Sequence, residues 1–185
     1  MESDWAWDRL NPFERQVAAL LVQGKSNADI CAEVFLSRAR VQECIKRILM
    51  KTGADSTRQA IVLLVEERET RSLLRILEEA TTGVVIVKDR VVKFANRALR
   101  EMLGYSLDEI VGIPFVELLA PRSREAAIKQ HEFRLRGEPF STLYVIGVLC
   151  KGGQEKEVIV ANAGPVRYKG GQAILTTAIP HQPGE

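Results

Sequence analysis

Apolar residues recur at helical spacing through the first third of the chain, and as short alternating or continuous runs through the last third. Leu10, Phe13, Val17, Leu20 and Leu21 form one helical stripe. Asn11 before Pro12 supplies a cap and a first-turn proline, and Gly24 stops the helix. Ser26 and Asp29 stand at capping-box spacing and open a short helix through Val34. Phe35 and Leu36 turn the chain. Ser37 then caps a helix whose apolar face is Val41, Ile45, Ile48 and Leu49 and whose end is Gly53. A short helix, a tight turn and a longer helix with a polar outer face make a helix-turn-helix, in which the first helix braces the second against a DNA major groove.

Ser56–Ala80 is a long helical stretch without Pro or Gly. Its first half carries the stripe Ala60, Ile61, Leu64 and Val65, and its second half Leu73, Leu74, Ile76 and Leu77. The polar run Glu66–Ser72 separates them, so the pattern fits one continuous helix or two with a break. Apolar stripes on such a helix favour burial against a partner.

From Gly83 the period changes. Gly83–Lys88 and Val91–Ala95 read as strands joined by a turn at Asp89-Arg90. Helical segments follow at Asn96–Leu103, Leu107–Val111, Phe115–Leu119 and Arg122–Arg136, punctuated by Gly104, the cap Ser106 and Gly137. Strands are expected near Phe140–Cys150, Glu155–Pro165 and Gln172–Ile179, with turns at Gly152-Gly153 and Lys169-Gly170-Gly171. The fold class is α+β.

Composition adds exclusions. A chain of 185 residues accommodates one ordinary domain or two small ones. Three scattered cysteines and two histidines argue against a disulfide framework and a zinc site. No targeting segment or membrane span is visible, so a cytoplasmic protein is expected. No Ser/His/Asp set, phosphate-cradling loop or paired carboxylate points to an enzyme. The net charge of +2 is uninformative until it is divided by element. Residues 1–66 balance nine basic against nine acidic side chains, whereas residues 37–51 hold Arg38, Arg40, Lys46, Arg47 and Lys51 against Glu43 alone. Arg40, Gln42, Glu43, Lys46, Arg47 and Met50 lie opposite the Val41/Ile45/Ile48 face, which concentrates positive charge where a DNA-reading helix needs it.

Residues 10–64 resemble the LuxR-type helix-turn-helix domain. The resemblance rests on Leu10-x-Pro12-x-Glu14-Arg15, Val17, the Gly24-x-Ser26-Asn27 turn, Ile30, Leu36-Ser37, Val41, Ile45, Ile48 and Leu49, then Lys51-x-Gly53, Ser56 and Ala60. It implies DNA contacts from Arg38, Arg40, Gln42, Glu43, Lys46, Arg47 and Lys51. The family's usual Thr-Val-Lys-x-His is Arg40-Val41-Gln42-Glu43-Cys44 in this chain, so a different base preference is expected: Gln pairs with adenine, and Glu accepts from cytosine but repels phosphate. The family's dimerisation helix corresponds to residues 56–66. With the second stripe, the candidate dimer residues are Ile61, Leu64, Val65, Leu73, Leu74 and Leu77. A homodimer implies a palindromic site on double-stranded DNA.

Residues 73–180 resemble the PAS fold. Phe94-x-Asn96-x-Ala98, Leu103-Gly104-Tyr105-Ser106-x-Asp108-Glu109-Ile110-x-Gly112 and Arg136-Gly137-Glu138-Pro139 carry the match. The fold implied is a five-stranded antiparallel sheet with helices on one face. Between the layers, Val85, Phe94, Met102, Ile110, Phe115, Ile128, His131 and Leu143 either fill the core or line a cavity for a small-molecule effector. Gly112–Glu117 contains no Cys, which argues against a flavin photoadduct. His131 lies on the helix from which haem-binding relatives ligate iron, although their ligand falls nearer Glu125.

The reading is a regulator with an N-terminal DNA-binding domain (1–66), a helical linker (67–80), a PAS sensory domain (81–180) and a flexible tail (181–185). Two alternatives stand beside it: an adaptor that dimerises or recruits a partner through the PAS domain with little DNA binding, and a haem-based sensor.

Overall fold

A computed structural model of the chain describes residues 5–181. The chain divides between Ser72 and Leu73 into two units. The tail expected at 181–185 lies, from residue 182 onward, outside the described residues.

The first unit is helical: α1 (Ala6–Arg9), α2 (Pro12–Val22), α3 (Asn27–Val34), α4 (Arg38–Thr52) and the start of α5 (Thr57–Glu78). The capping box expected at α3 forms, and the Asn11 cap of α2 is part of another. The Asn11 side chain accepts from the Glu14 N–H while Glu14 accepts from the Asn11 N–H, and Ser26 and Asp29 repeat the arrangement at α3. Ser37 occupies the N-cap position of α4, but its side chain makes no capping hydrogen bond. Leu10, Val17, Leu21, Ile30, Val41, Cys44, Ile48 and Leu64 close the core.

α5 is one uninterrupted helix of 22 residues. Its polar run is used locally. The Glu67 carboxylate accepts the Ala6 and Trp7 backbone N–H groups at the open end of α1, and Arg71 pairs with Asp8 at 2.7 Å. Trp7 Nε1 donates to the Leu64 carbonyl at 3.0 Å.

In the second unit a five-stranded antiparallel sheet runs β2-β1-β5-β4-β3, with β1 (Gly83–Lys88), β2 (Val91–Ala95), β3 (Leu143–Leu149), β4 (Glu155–Tyr168) and β5 (Gly171–Pro180). Asp89 and Arg90 both take positive φ, 54° and 60°, the twist that a two-residue hairpin needs. Strand β4 continues past Pro165 to Tyr168. Beyond Ala161 it pairs only with β5, so the proline sits where one ladder is absent.

The helices α6 (Arg97–Leu103), α7 (Leu107–Ile110) and α8 (Arg124–Arg136) follow β2. Leu99, Leu103, Ile110, Leu118 and Ala127 pack with Val92, Ile146, Val158, Val160 and Ala178 of the sheet. Gly147 lets the segment leading into α8 lie close on β3. A Cβ there would stand 3.0 Å from Ala120 Cβ, and the Gly147 N–H donates to Ser123 Oγ. A smaller cluster, Ile86, Tyr168 and Ala173, gathers Phe94, Leu175 and Leu74 of α5.

Asn96 holds the end of α5. Fully buried, it accepts the Val84 and Leu99 N–H groups through Oδ1 and donates through Nδ2 to the carbonyls of Leu77, Ala80 and Thr82 at 2.8–3.2 Å. Beside it Arg100 clasps the Glu78 carboxylate with both terminal nitrogens, at 2.7 and 3.2 Å.

Candidate functional site

The outer face of α4 is set by what its inner face buries. Val41, Cys44, Ile45 and Ile48 are buried, so Arg38, Arg40, Gln42, Glu43, Lys46, Arg47 and Met50 are exposed. Turn and helix meet at Phe35, which adopts left-handed φ 53° and leaves its ring in solvent. Sequence pattern marked Phe35 only as a turn residue; a bulky side chain in that conformation is unusual.

Charges on this face are not equivalent. Arg47 pairs with Glu43 one turn away at 3.0 Å, which tempers the repulsion that Glu43 would exert on phosphate. Lys51 is turned inward. Its ammonium lies 2.6 Å from Oε2 of Glu14, a carboxylate with 2% of its surface exposed. Lys51 was expected among the DNA contacts; the buried carboxylate draws it to α2 instead. Burial alone would raise the Glu14 pKa, but the bonds from Lys51 and the Asn11 N–H together bring it below the usual carboxylate value. Among the described residues, Arg38, Arg40 and Lys46 form no ion pair, and they remain as the cations of the face.

The expected dimer residues fall into three groups. Leu64 is fully buried in the first unit's core, and Ile61 packs against that core. This corrects the assignment of Leu64, because α5 must close the core of its own unit. Leu74 packs on the cluster around Tyr168, while Val65 and Leu77 are half-buried. Leu73 remains at 60% exposure, joined by Ile76 at 68% one turn on.

Between sheet and helices of the second unit lies a cavity of about 100 Å³. Of the eight residues expected there, Val85, Phe115 and His131 line it. Phe94 packs in the Ile86/Tyr168 cluster, because its side chain leaves β2 on the other face of the sheet. Leu143 starts edge strand β3 and is exposed. Ile110 and Met102 belong to the helix-side core but not to the cavity wall, and Ile128 is half-buried away from it. Pattern missed Arg134, which lies one helical turn after His131 and is 3% exposed. Its charge made it read as surface.

His131 is 5% exposed and stacks on Phe115, with ring centroids 4.9 Å apart. Burial lowers its pKa, and the nearby Arg134 and Arg90 charges lower it further. The site does not fit haem or flavin. Its volume is well below the roughly 300–1,000 Å³ of organic-ligand pockets, and the His131 ring is stacked on Phe115 rather than clear of it. Among the described residues, no cluster of His, Cys, Asp and Glu could hold a metal ion, and no helix is long and apolar enough to cross a membrane.

Known proteins resemble the two units separately. The family described as bacterial regulatory proteins, LuxR family, matches residues 8–64, and the PAS fold matches residues 71–179. Spore germination protein GerE of Bacillus subtilis (strain 168) is 37% identical over 60 residues, which is 32% of this chain and 81% of GerE. Among solved structures, a PAS domain from Colwellia psychrerythraea superposes with TM-score 0.51 at 14% identity, over 60% of this chain and 95% of that one. The Rhodobacter sphaeroides LOV protein gives 0.52 at 11% identity, over 64% and 70%. At these identities the structures establish the fold.

Proposed function

The chain belongs to the LuxR family of bacterial regulatory proteins through its first unit and to the PAS family through its second, and from that we propose that it is a one-component transcription regulator: α4 reads double-stranded DNA and the PAS unit senses a signal. The observation that carries this is the outer face of α4, where Arg38, Arg40 and Lys46 are exposed cations that have no ion-pair partner among the described residues, on a helix braced by α2 and α3. On the same face Gln42 and Glu43 are able to read adenine and cytosine respectively, and an Arg or Lys there guanine.

The protein works as a homodimer in the cytoplasm on a palindromic site. Leu73 and Ile76 of α5 supply the dimer contact, being large apolar side chains left in water on a helix that also contributes to both units. The signal reaches α5 through Asn96 and Arg100, which hold its last turn to the PAS unit. An effector acts by binding one arrangement of the dimer more tightly than the other.

The test is a footprint and a salt titration on DNA from the gene's own upstream region. Specific protection and a steep fall of affinity with salt are expected. Weak, salt-insensitive binding would leave the chain an adaptor.

A further inference from the structure

Two buried polar groups that line the PAS cavity, on Arg134 and His131, lack hydrogen-bond partners among the described residues. Arg134 is buried on α8, and among the described residues no Asp or Glu pairs with it. Its Nη2 donates to the Ser141 carbonyl and to the Tyr144 hydroxyl, both at 3.1 Å, and its guanidinium stands over the Phe140 and Tyr144 rings. These neutral partners supply no counterion, and Nε is buried with no hydrogen-bond partner among the described residues. One turn earlier on the same face, His131 Nε2 is likewise buried and unpartnered. Tyr144 accepts from Arg134, so its own hydroxyl hydrogen is left to donate. Arg134, His131 and Tyr144 all line the one cavity, whose remaining walls include Val85, Leu103 and Phe115.

Buried ions without a counterion, and buried donors without acceptors, are costly and rare. An unpartnered guanidinium N–H and an unpartnered imidazole nitrogen on adjacent turns, both lining the same cavity, point to a binding site. We propose that the PAS cavity binds a short-chain carboxylate of the size of acetate or propionate, with its oxygens accepting from Arg134 Nε, His131 Nε2 and the Tyr144 hydroxyl, and its alkyl end against the apolar wall. Guanidinium and carboxylate form the strong charge-assisted pair. Size follows from volume. A cavity of about 150 Å³ holds benzene, so about 100 Å³ takes fewer atoms, roughly four or five besides hydrogen. The neutral imidazole favoured by the lowered His131 pKa can still present an N–H to the anion.

The proposal rests on the sensory reading of the PAS unit, and its test is independent of DNA. Full-length protein is titrated calorimetrically at constant ionic strength with sodium propionate and sodium acetate, and in parallel with propionamide and sodium chloride. Saturable binding of the carboxylates, at least tenfold tighter than propionamide, is the expected result. Arg134→Met should weaken it at least tenfold. Because that variant could fold poorly, His131→Phe serves as the second, with a several-fold loss expected. No saturable carboxylate binding, equal binding of propionamide, or unchanged affinity in a folded variant overturns the proposal. DNA footprinting on the same preparation separates the two readings: protection without carboxylate binding leaves the regulator standing and removes this ligand.

Discussion

The Lys51 ammonium and the Glu14 carboxylate form an ion pair of 2.6 Å that fastens the end of α4 to the start of α2. The same carboxylate caps α2 by accepting the Asn11 N–H at 2.8 Å. One buried group thus fixes a helix start and the helix that carries the candidate groove face. Lys51→Met leaves Glu14 buried without its cation. The expected loss of stability is on the order of 3 kcal/mol, the low end for a broken buried pair because Lys51 is partly exposed. Chemical denaturation of the full chain measures it. The dependence of log affinity on log salt should keep its wild-type slope, since this lysine faces α2. A shallower slope in Lys51→Met would return it to the DNA face.

Lys46, Arg40 and Arg38 should behave in the opposite way. Alanine at any of them removes no core contact and should change stability by less than about 0.5 kcal/mol. Each that neutralises a phosphate should lower affinity and reduce the salt slope by about 0.9. Binding that stays unchanged in the Arg40→Ala, Lys46→Ala double variant would sink the groove assignment.

From Leu10 onward the helices of the first unit were legible, because helical stripes, capping residues and Gly53 are local signals with one dominant reading; α1 carries no such stripe and was not. The sheet was legible too, since paired turn residues such as Asp89-Arg90 mark hairpins. What pattern could not separate was the destination of a side chain once several were available. Leu64 and Leu73 look alike in a helical stripe, yet one closes the core and the other is exposed. Phe94 sits in a strand with apolar residues on both faces, so alternation did not assign it. Lys51 counted as surface charge because the buried carboxylate it meets is 37 residues away. Arg134 was overlooked for the same reason in reverse: a charged residue is read as solvated unless a buried setting is known.

Exposed Leu73 and Ile76 predict a concentration-dependent dimer. The double variant Leu73→Glu, Ile76→Glu should sediment as a monomer at concentrations where wild type is dimeric, with the melting of each unit little changed. Leu64→Ala should do the reverse, lowering stability by about 2–5 kcal/mol as a core truncation does while sparing self-association. Wild-type sedimentation as a monomer at high concentration would remove the dimer from the proposal.

Acid should weaken the PAS unit through His131. Its folded pKa is lowered below the ordinary 6.5 by burial and then by Arg134 and Arg90, with Glu132 opposing. In the unfolded chain the imidazole takes up a proton more readily. Stability is therefore complete above about pH 6.5 and falls as pH drops through that value toward the folded pKa. Between pH 7.5 and 5.5 the melting temperature of wild type should decline, and His131→Phe should flatten that decline. An identical pH profile in the variant would show that other groups cause it.

Asn96 and Arg100 hold the same helix end by unequal means, and their substitutions should separate. Asn96 is fully buried and its amide serves five backbone groups, from Val84 and Leu99 to the carbonyls of Leu77, Ala80 and Thr82. Asn96→Ala strands several of them without water and removes the cap of α6, so a loss on the order of 3 kcal/mol is expected. The Arg100–Glu78 pair is more accessible, with Glu78 about a third exposed, and Glu78→Gln should cost about 1 kcal/mol or less. Hydrogen exchange adds the local readout. Amides of the last turn of α5, Arg75–Glu78, should lose protection in Asn96→Ala well beyond the global change in stability. The sheet amides of β4 and β5 should follow the global change alone. Since α6 also places Leu99 and Leu103 in the cavity wall, a group bound there adjoins the helix whose first turn Asn96 caps. In Asn96→Ala, occupation of the cavity should therefore no longer alter DNA affinity, even where the variant remains folded. An effector response of wild-type size in that variant would place the coupling elsewhere.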